Sequence, residues 1–320
     1  MTFASRLKTS AAAVGRNALG AVLGLGLAAA LLAQPLEAAA QTAPAAVPQA
    51  AAGSGPALWV IRDADSTIYL FGTVHVLRPT TAWGSPVVDA AFDASDEIWF
   101  EITNPDDVAA AQPLMAQYGI SPSRPLSSLL TAEEIATLDV AAQSIGASAA
   151  QLDPLRPWLV GLSLAVAPLT KAGYDANSGV ELVLRSRAQA AGKPIKGLET
   201  LESQIQMLAG LSEDTQLAFL RATLADFENA TASLDGLVDA WAVGDVDGIE
   251  RLGVTEMQSQ SVELYDAILT RRNTNWAGQI ETLLAGSGTV FIAVGAAHLA
   301  GDDSVQEILA DRGVVAERVR

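Results

Sequence analysis

The 320-residue chain contains no cysteine and only two histidines. Without cysteine it has no disulfide, no thiolate metal ligand and no cysteine nucleophile. A chain of this size can instead be held by its core. No HExxH helix is present, so a zincin-type arrangement with an adjacent glutamate base is excluded. Positive charge is also scarce: 19 Lys and Arg stand against 36 Asp and Glu, a net charge of −17. Three of those basic residues and one of the acids lie in the first forty positions, leaving −19 downstream. Such a surface repels nucleic acid and anionic lipid and concentrates cations, although its first effect is solubility. No internal repeat of about 20–50 residues is found.

What the N-terminus does contain is an export signal. Arg6, Lys8 and Arg16 precede a run from Ala18 to Ala33 made only of Ala, Leu, Val and Gly. Pro35 breaks it, and Ala38-Ala39-Ala40 places small residues before Gln41. The run is shorter than the ~20 residues of a membrane span, and its three-part order predicts a cleavable signal peptide over 1–40. No cysteine follows it, which excludes lipid attachment there. Residues 41–56, rich in Ala, Pro, Gln, Gly and Ser, read as a disordered linker. The expected location is periplasmic or secreted, with no membrane span once the signal is removed.

The fold is expected over 57–320. Ala57–Arg62, a turn at Asp63-Ala64-Asp65-Ser66 and Thr67–Gly72 form a β-hairpin. Pro86–Ser95 has helical spacing and Glu97–Ile102 is a strand. From about 105 to 286 the pattern is helical, as in Thr131–Ile145, Leu217–Phe227 and Val262–Leu284, with room for one brief strand at Gly192–Gly197. Thr289–Val294 is a continuous apolar run typical of a strand buried on both faces. A short helix at Val305–Leu309 and a strand at Val314–Val319 close the chain. The prediction is an α/β fold: a mixed sheet built from N- and C-terminal strands, with a long helical insertion packed over it.

The two histidines share a context. His75 and His298 each follow an apolar strand, and each has a glycine three residues before it, Gly72 and Gly295. A glycine at a strand end permits a tight bend and close backbone approach. The strand end sets the imidazole at the rim of the sheet, where α/β folds hold ligands. Two imidazoles and one carboxylate would leave a divalent metal with open positions. Glu101, after Trp99 and Phe100, is the first carboxylate candidate. Asp175 and Glu199 are supporting candidates, though each also reads as a helix cap or first-turn acid. Arg272 and Asn273, near Trp276, are candidates to steady an oxyanion, or else lie on a helix surface. If the two strands are parallel neighbours, both histidines emerge at one sheet edge with Glu101 in reach and Arg272 pointing in.

These residues together resemble the TraB/GumN family, related to the animal TIKI proteins. The carriers are Phe71-Gly72-Thr73-Val74-His75, Phe100-Glu101, Gly197-Leu198-Glu199-Thr200 with Gln204, Arg272-Asn273 with Trp276, and Val294-Gly295-Ala296-Ala297-His298-Leu299 with Gly301. Where a glycine is expected soon after Gly301, this chain has Asp302-Asp303-Ser304. The resemblance implies an erythromycin-esterase-like or ChaN-like fold and a metal site made of His75, His298 and Glu101. It also implies manganese or cobalt, with zinc a further option, and metalloprotease-like chemistry. Two other roles stay open: a non-catalytic binder that sequesters a peptide or small ligand, and an accessory of polysaccharide assembly. The expected partner is a peptide or other small envelope substrate.

Overall fold

The computed structural model describes residues 47–51 and 55–319. The expected signal peptide and most of the expected linker lie outside the described residues. Where the linker is described it is docked: Pro48 O accepts from the Trp83 and Gly84 N–H groups, and Ala50 N–H donates to Gly84 O. No helix among the described residues is long and apolar enough to cross a membrane.

Six strands form one mixed sheet: β1 (Leu58–Arg62), β2 (Ser66–Thr73), β3 (Glu97–Phe100), β4 (Ile195–Gly197), β5 (Gly288–Gly295) and β6 (Glu317–Arg318), in the order β4-β3-β5-β2-β1-β6. β1 and β2 make the hairpin, and Asp63 Oδ1 caps its turn by accepting from the Asp65 and Ser66 N–H groups. β2, β5, β3 and β4 are mutually parallel, so the strand pairs of the two chain ends meet at the centre. β2 and β5 pair over their whole length, with Gly72 opposite Val294 and Thr73 opposite Gly295.

The alternation of apolar side chains along these strands supplies two cores. Phe71, Phe291, Ala293, Ile98 and Phe100 face one, with the helices Pro86–Ala94, Pro157–Lys171 and Val180–Ala190 over them. Ile68, Leu70, Val290, Ile292 and Val294 face the other, where Trp276, Ala277 and Ile280 of helix Arg271–Leu284 and Leu309 of helix Val305–Asp311 close the layer. A third cluster around Leu138, Val160, Leu164 and Leu220 holds helices of the insertion to one another.

The insertion covers both faces of the sheet, its last helix lying opposite the others: the buried stripe Trp276–Ala277–Ile280 needs an apolar partner, and β5 offers one on that side. One expectation needs correcting. The closing strand is shorter than Val314–Val319: only Glu317–Arg318 pair with β1, while Val314 and Ala316 turn their side chains onto the second core.

Candidate active site

All four parallel strands deliver a polar side chain just beyond their C-terminal ends. β2 leads to His75, β3 to Glu101, β5 to His298 and β4 to Glu199. This rim is where parallel α/β sheets bind ligands. His75, Glu101 and His298 are buried, at 6%, 2% and 0% exposure.

The local backbone explains the placement. A Cβ on Gly72 would lie 3.1 Å from Ala296 Cα, so the glycine lets the end of β2 sit against the turn Ala296–Leu299 that carries His298. Gly72 O is further fixed by the Trp241 indole N–H at 2.8 Å. Gly295 N–H donates to Glu101 Oε1 at 2.8 Å, joining β5 to the residue after β3. Gly179 packs so tightly beneath His75 that a Cβ there would fall 2.1 Å from the His75 carbonyl oxygen. That approach, with Val180 N–H bonded to Val74 O at 3.0 Å, sets the start of helix Val180–Ala190 against His75.

Each histidine has one ring nitrogen held by an oxygen. His75 Nδ1 lies 2.6 Å from Glu181 Oε1, which also accepts from Thr73 Oγ1. The acceptor places a proton on Nδ1; in the neutral ring Nε2 then keeps its lone pair, the arrangement that orients histidines toward metals. His75 Nε2 is buried and has no hydrogen-bond partner. His298 Nδ1 lies 2.6 Å from Asn273 Oδ1, and its Nε2 lies 3.0 Å from an Arg272 Nη1. An arginine can only donate, so His298 Nε2 accepts and Nδ1 carries the proton. The Trp276 ring packs against the His298 ring, centroids 4.4 Å apart and planes tilted by 46°.

Arg272, in the first turn of helix Arg271–Leu284, holds the cluster together. It donates to Glu101 Oε2 at 2.6 Å, to Glu199 Oε1 at 2.9 Å, to His298 and to Ile268 O at 3.2 Å. The turn before it, Asp266–Thr270, is π-helical, with Arg271 N–H bonded to Asp266 O; such turns recur at functional sites. Gln204 Nε2 bridges Glu101 and Glu199, 3.0 Å from each. Trp276 Nε1 also donates to Glu199. Asn273 Nδ2 is tied to Asp303 O at 2.7 Å, and the Asp303 carboxylate accepts from Tyr265 OH at 2.7 Å. The Asp302-Asp303-Ser304 departure thus anchors the residue that orients His298.

The charges are strongly coupled. Burial pushes the Glu101 carboxyl up, but Arg272, then both histidines and the Gly295 N–H, bring it down to about 2. Burial also opposes protonation of His75, yet the charge and hydrogen bond of Glu181, with Glu101 behind it, raise its pKa above the ordinary 6.5. Arg272 pairs with Glu101 and Glu199, while Glu181 pairs with His75. His75, Glu101 and Glu181 line one small cavity, with Phe100, Ile102, Pro105, Leu182 and Arg185 as its other walls. Among the described residues no three His, Asp or Glu side chains stand close enough to hold an ion as they are. Arg272 is the reason on the His298 side, since it takes that ring's lone pair.

The sequence profile of the TraB/PrgY/gumN family matches residues 57–318. The chain belongs to this family. It is 24% identical over 274 residues to an uncharacterized protein of Treponema pallidum (strain Nichols), covering 79% of this chain and 80% of that one. It is 27% identical over 184 residues to the uncharacterized protein YbaP of Escherichia coli (strain K12), covering 58% and 67%. Metalloprotease TIKI2 of Danio rerio is 24% identical over 306 residues; the match takes in 78% of this chain but 58% of that protein. No solved structure matches.

In this TraB/PrgY/gumN member, Glu101, His298, Arg272, Asn273 and Glu199 form one bonded network, and His75 shares a cavity with Glu101. Asp175 stays apart: it caps the turn Ala176–Ser178 by accepting from Asn177 N–H and pairs its backbone with Leu77. Arg272 and Asn273 hold site residues rather than standing ready for an oxyanion; all three guanidinium nitrogens are engaged, and Asn273 is bonded at both ends. Glu181 was not singled out from the sequence. Its one signal is an acid two residues after Gly179, which reads as an ordinary first-turn helix acid.

Proposed function

We propose that this protein is a hydrolase that uses a divalent cation to cleave peptide bonds in the bacterial envelope. The observation that carries the reading is His75 Nε2: a buried ring nitrogen without a partner, oriented by Glu181, in a cavity shared with Glu101. The residues fit a cation: His75 and Glu101 would hold it from the cavity, and His298 would join once Arg272 releases Nε2. Such an ion supplies water activation near neutral pH and polarisation of the scissile carbonyl. The chain's own residues do the rest. Glu181 and Asn273 fix the two ring tautomers, and Gly295 N–H, Gln204 and Arg272 keep Glu101 ionised. The metalloprotease name of the zebrafish relative supports the reaction class. Manganese or cobalt rests on the resemblance to TIKI proteins, while a set of two imidazoles and one carboxylate also suits zinc. The envelope location rests on the first forty residues.

A second reading, a non-catalytic binder, is favoured by the closed Arg272–Glu101–His298 network. One experiment separates them. The protein, purified without a histidine tag, is assayed for bound manganese, cobalt and zinc and for cleavage of a fluorogenic peptide library with each ion. Metal uptake with turnover, both lost in His75→Ala, is the expected result. Stoichiometric peptide capture without turnover would replace the hydrolase with the binder.

A further inference from the structure

With Arg272 and Asn273 committed to other residues, a different guanidinium is better placed to meet substrate. Arg185 stands one turn beyond Glu181 on helix Val180–Ala190, and both line the cavity of His75 and Glu101. Its terminal nitrogens are clamped from outside: one pairs with Asp106 and the other donates to Asn104 Oδ1 at 3.2 Å. Both partners lie on the segment that follows Glu101. The clamp fixes the plane of the guanidinium. Its third donor, the Nε–H, is buried and has no partner. A buried N–H left unmatched is costly, and a ligand that accepts from it removes that cost.

We propose that Arg185 is a catalytic residue that donates its Nε–H to the carbonyl oxygen of the scissile peptide bond. The proposal rests on the hydrolase reading above. As water adds to the carbonyl carbon, a C–O bond forms and the carbonyl π pair moves onto oxygen, where the Arg185 N–H holds the charge. On collapse the C–N bond breaks, and the proton given up by the water ends on the departing amine nitrogen. The contact strengthens as the oxygen gains charge, so it acts on kcat rather than on ground-state binding.

The test uses the full protein, one fluorogenic peptide cleaved by the wild type, and a phosphinic analogue of that peptide. Arg185→Lys keeps the positive charge beside Asp106 and removes the Nε–H; Arg185→Gln is a second, uncharged variant should the first fail to fold. We expect kcat to fall about 100-fold, with KM, bound metal and thermal midpoint unchanged. Calorimetry should show the phosphinic analogue losing affinity by a similar factor. An active wild type whose folded Arg185 variant keeps its kcat and its analogue affinity overturns the assignment and leaves the hydrolase standing. A wild type that cleaves no peptide overturns both.

Discussion

His298 Nδ1 and Asn273 Oδ1 lie 2.6 Å apart, and this contact, with Arg272 donating on the other side, sets which ring nitrogen carries the lone pair. With Asn273 accepting, Nε2 is turned toward Glu101, whose Oε1 is 3.8 Å away. Because the chain has two histidines, long-range 1H–15N spectra contain only two imidazoles. We expect His298 to appear as the Nδ1–H tautomer. Asn273→Ala should keep that tautomer, because Arg272 still donates to Nε2, and should cost about 1–3 kcal/mol of stability, the penalty of a buried N–H without its acceptor. An Nε2–H signal in Asn273→Ala would show that Arg272 does not hold the ring.

Glu181 should govern His75 in the same way. The His75 pKa is raised by Glu181 against the opposing effect of burial. In Glu181→Gln the burial effect remains and the attraction is lost, so the pKa should drop below that of the wild type, read by NMR titration. The sign for stability follows. A raised histidine pKa contributes fully below the ordinary 6.5, and the contribution disappears as pH rises through the folded-state value. Metal affinity should fall about 10–100-fold in the same variant.

Acid stability should depend on Glu101. Its carboxyl titrates near 2 in the fold against an ordinary 4.5. A depressed carboxyl stabilises the fold above the ordinary value, and the gain is lost as pH falls from there toward 2. The stability difference between wild type and Glu101→Gln, measured by urea unfolding, should therefore be largest near neutrality and shrink below about pH 4.5. A difference independent of pH would mean that the ionised form is not the one buried.

Removal of Arg272 should be the most damaging single change. Arg272→Met leaves the buried Glu101 and the half-buried Glu199 without their shared cation, a loss of about 3–5 kcal/mol. Arg272→Lys should recover little, since one ammonium cannot span two carboxylates, a histidine and a carbonyl in one plane. Equilibrium unfolding of the two variants checks both statements.

Export has a direct readout. Mass spectrometry of protein recovered from the periplasm should show a chain lacking about forty residues, beginning near Gln41. An intact Met1 terminus in the membrane fraction would replace the signal peptide with an anchor.

The sheet and its two chain-end contributions could be read from apolar runs such as Thr289–Val294, because a strand buried on both faces leaves an unbroken pattern. The GxxH pairs were legible for the same local reason: glycine and histidine sit at fixed offsets from those runs. The polar network was less so. Glu199 appeared as a supporting acid and Gln204 only through family likeness, and Glu181 did not appear at all, since a buried first-turn acid has the same sequence signature as an exposed one. Asp175 misled because capping acids and site acids share turn chemistry. The crossing of the last helix to the opposite face was also hidden, because the stripe of Trp276 and Ile280 says that a face is buried but not against which layer.

The pairing of β2 with β5 has a kinetic side. Thr73 and Gly295 are adjacent in the sheet but lie at opposite ends of the chain, so the central ladder closes a loop of more than two hundred residues. Closing so long a loop delays the contact that nucleates the sheet. Synthesis must be nearly complete before β2 finds its neighbour. Until then the hairpin presents an open edge that invites association with other chains. A nascent chain that cannot close its sheet early stays extended longer, the state in which a polypeptide can be threaded through a translocation channel. Loss of the last thirty-odd residues would remove β5 and leave every upstream segment intact yet without a folded endpoint.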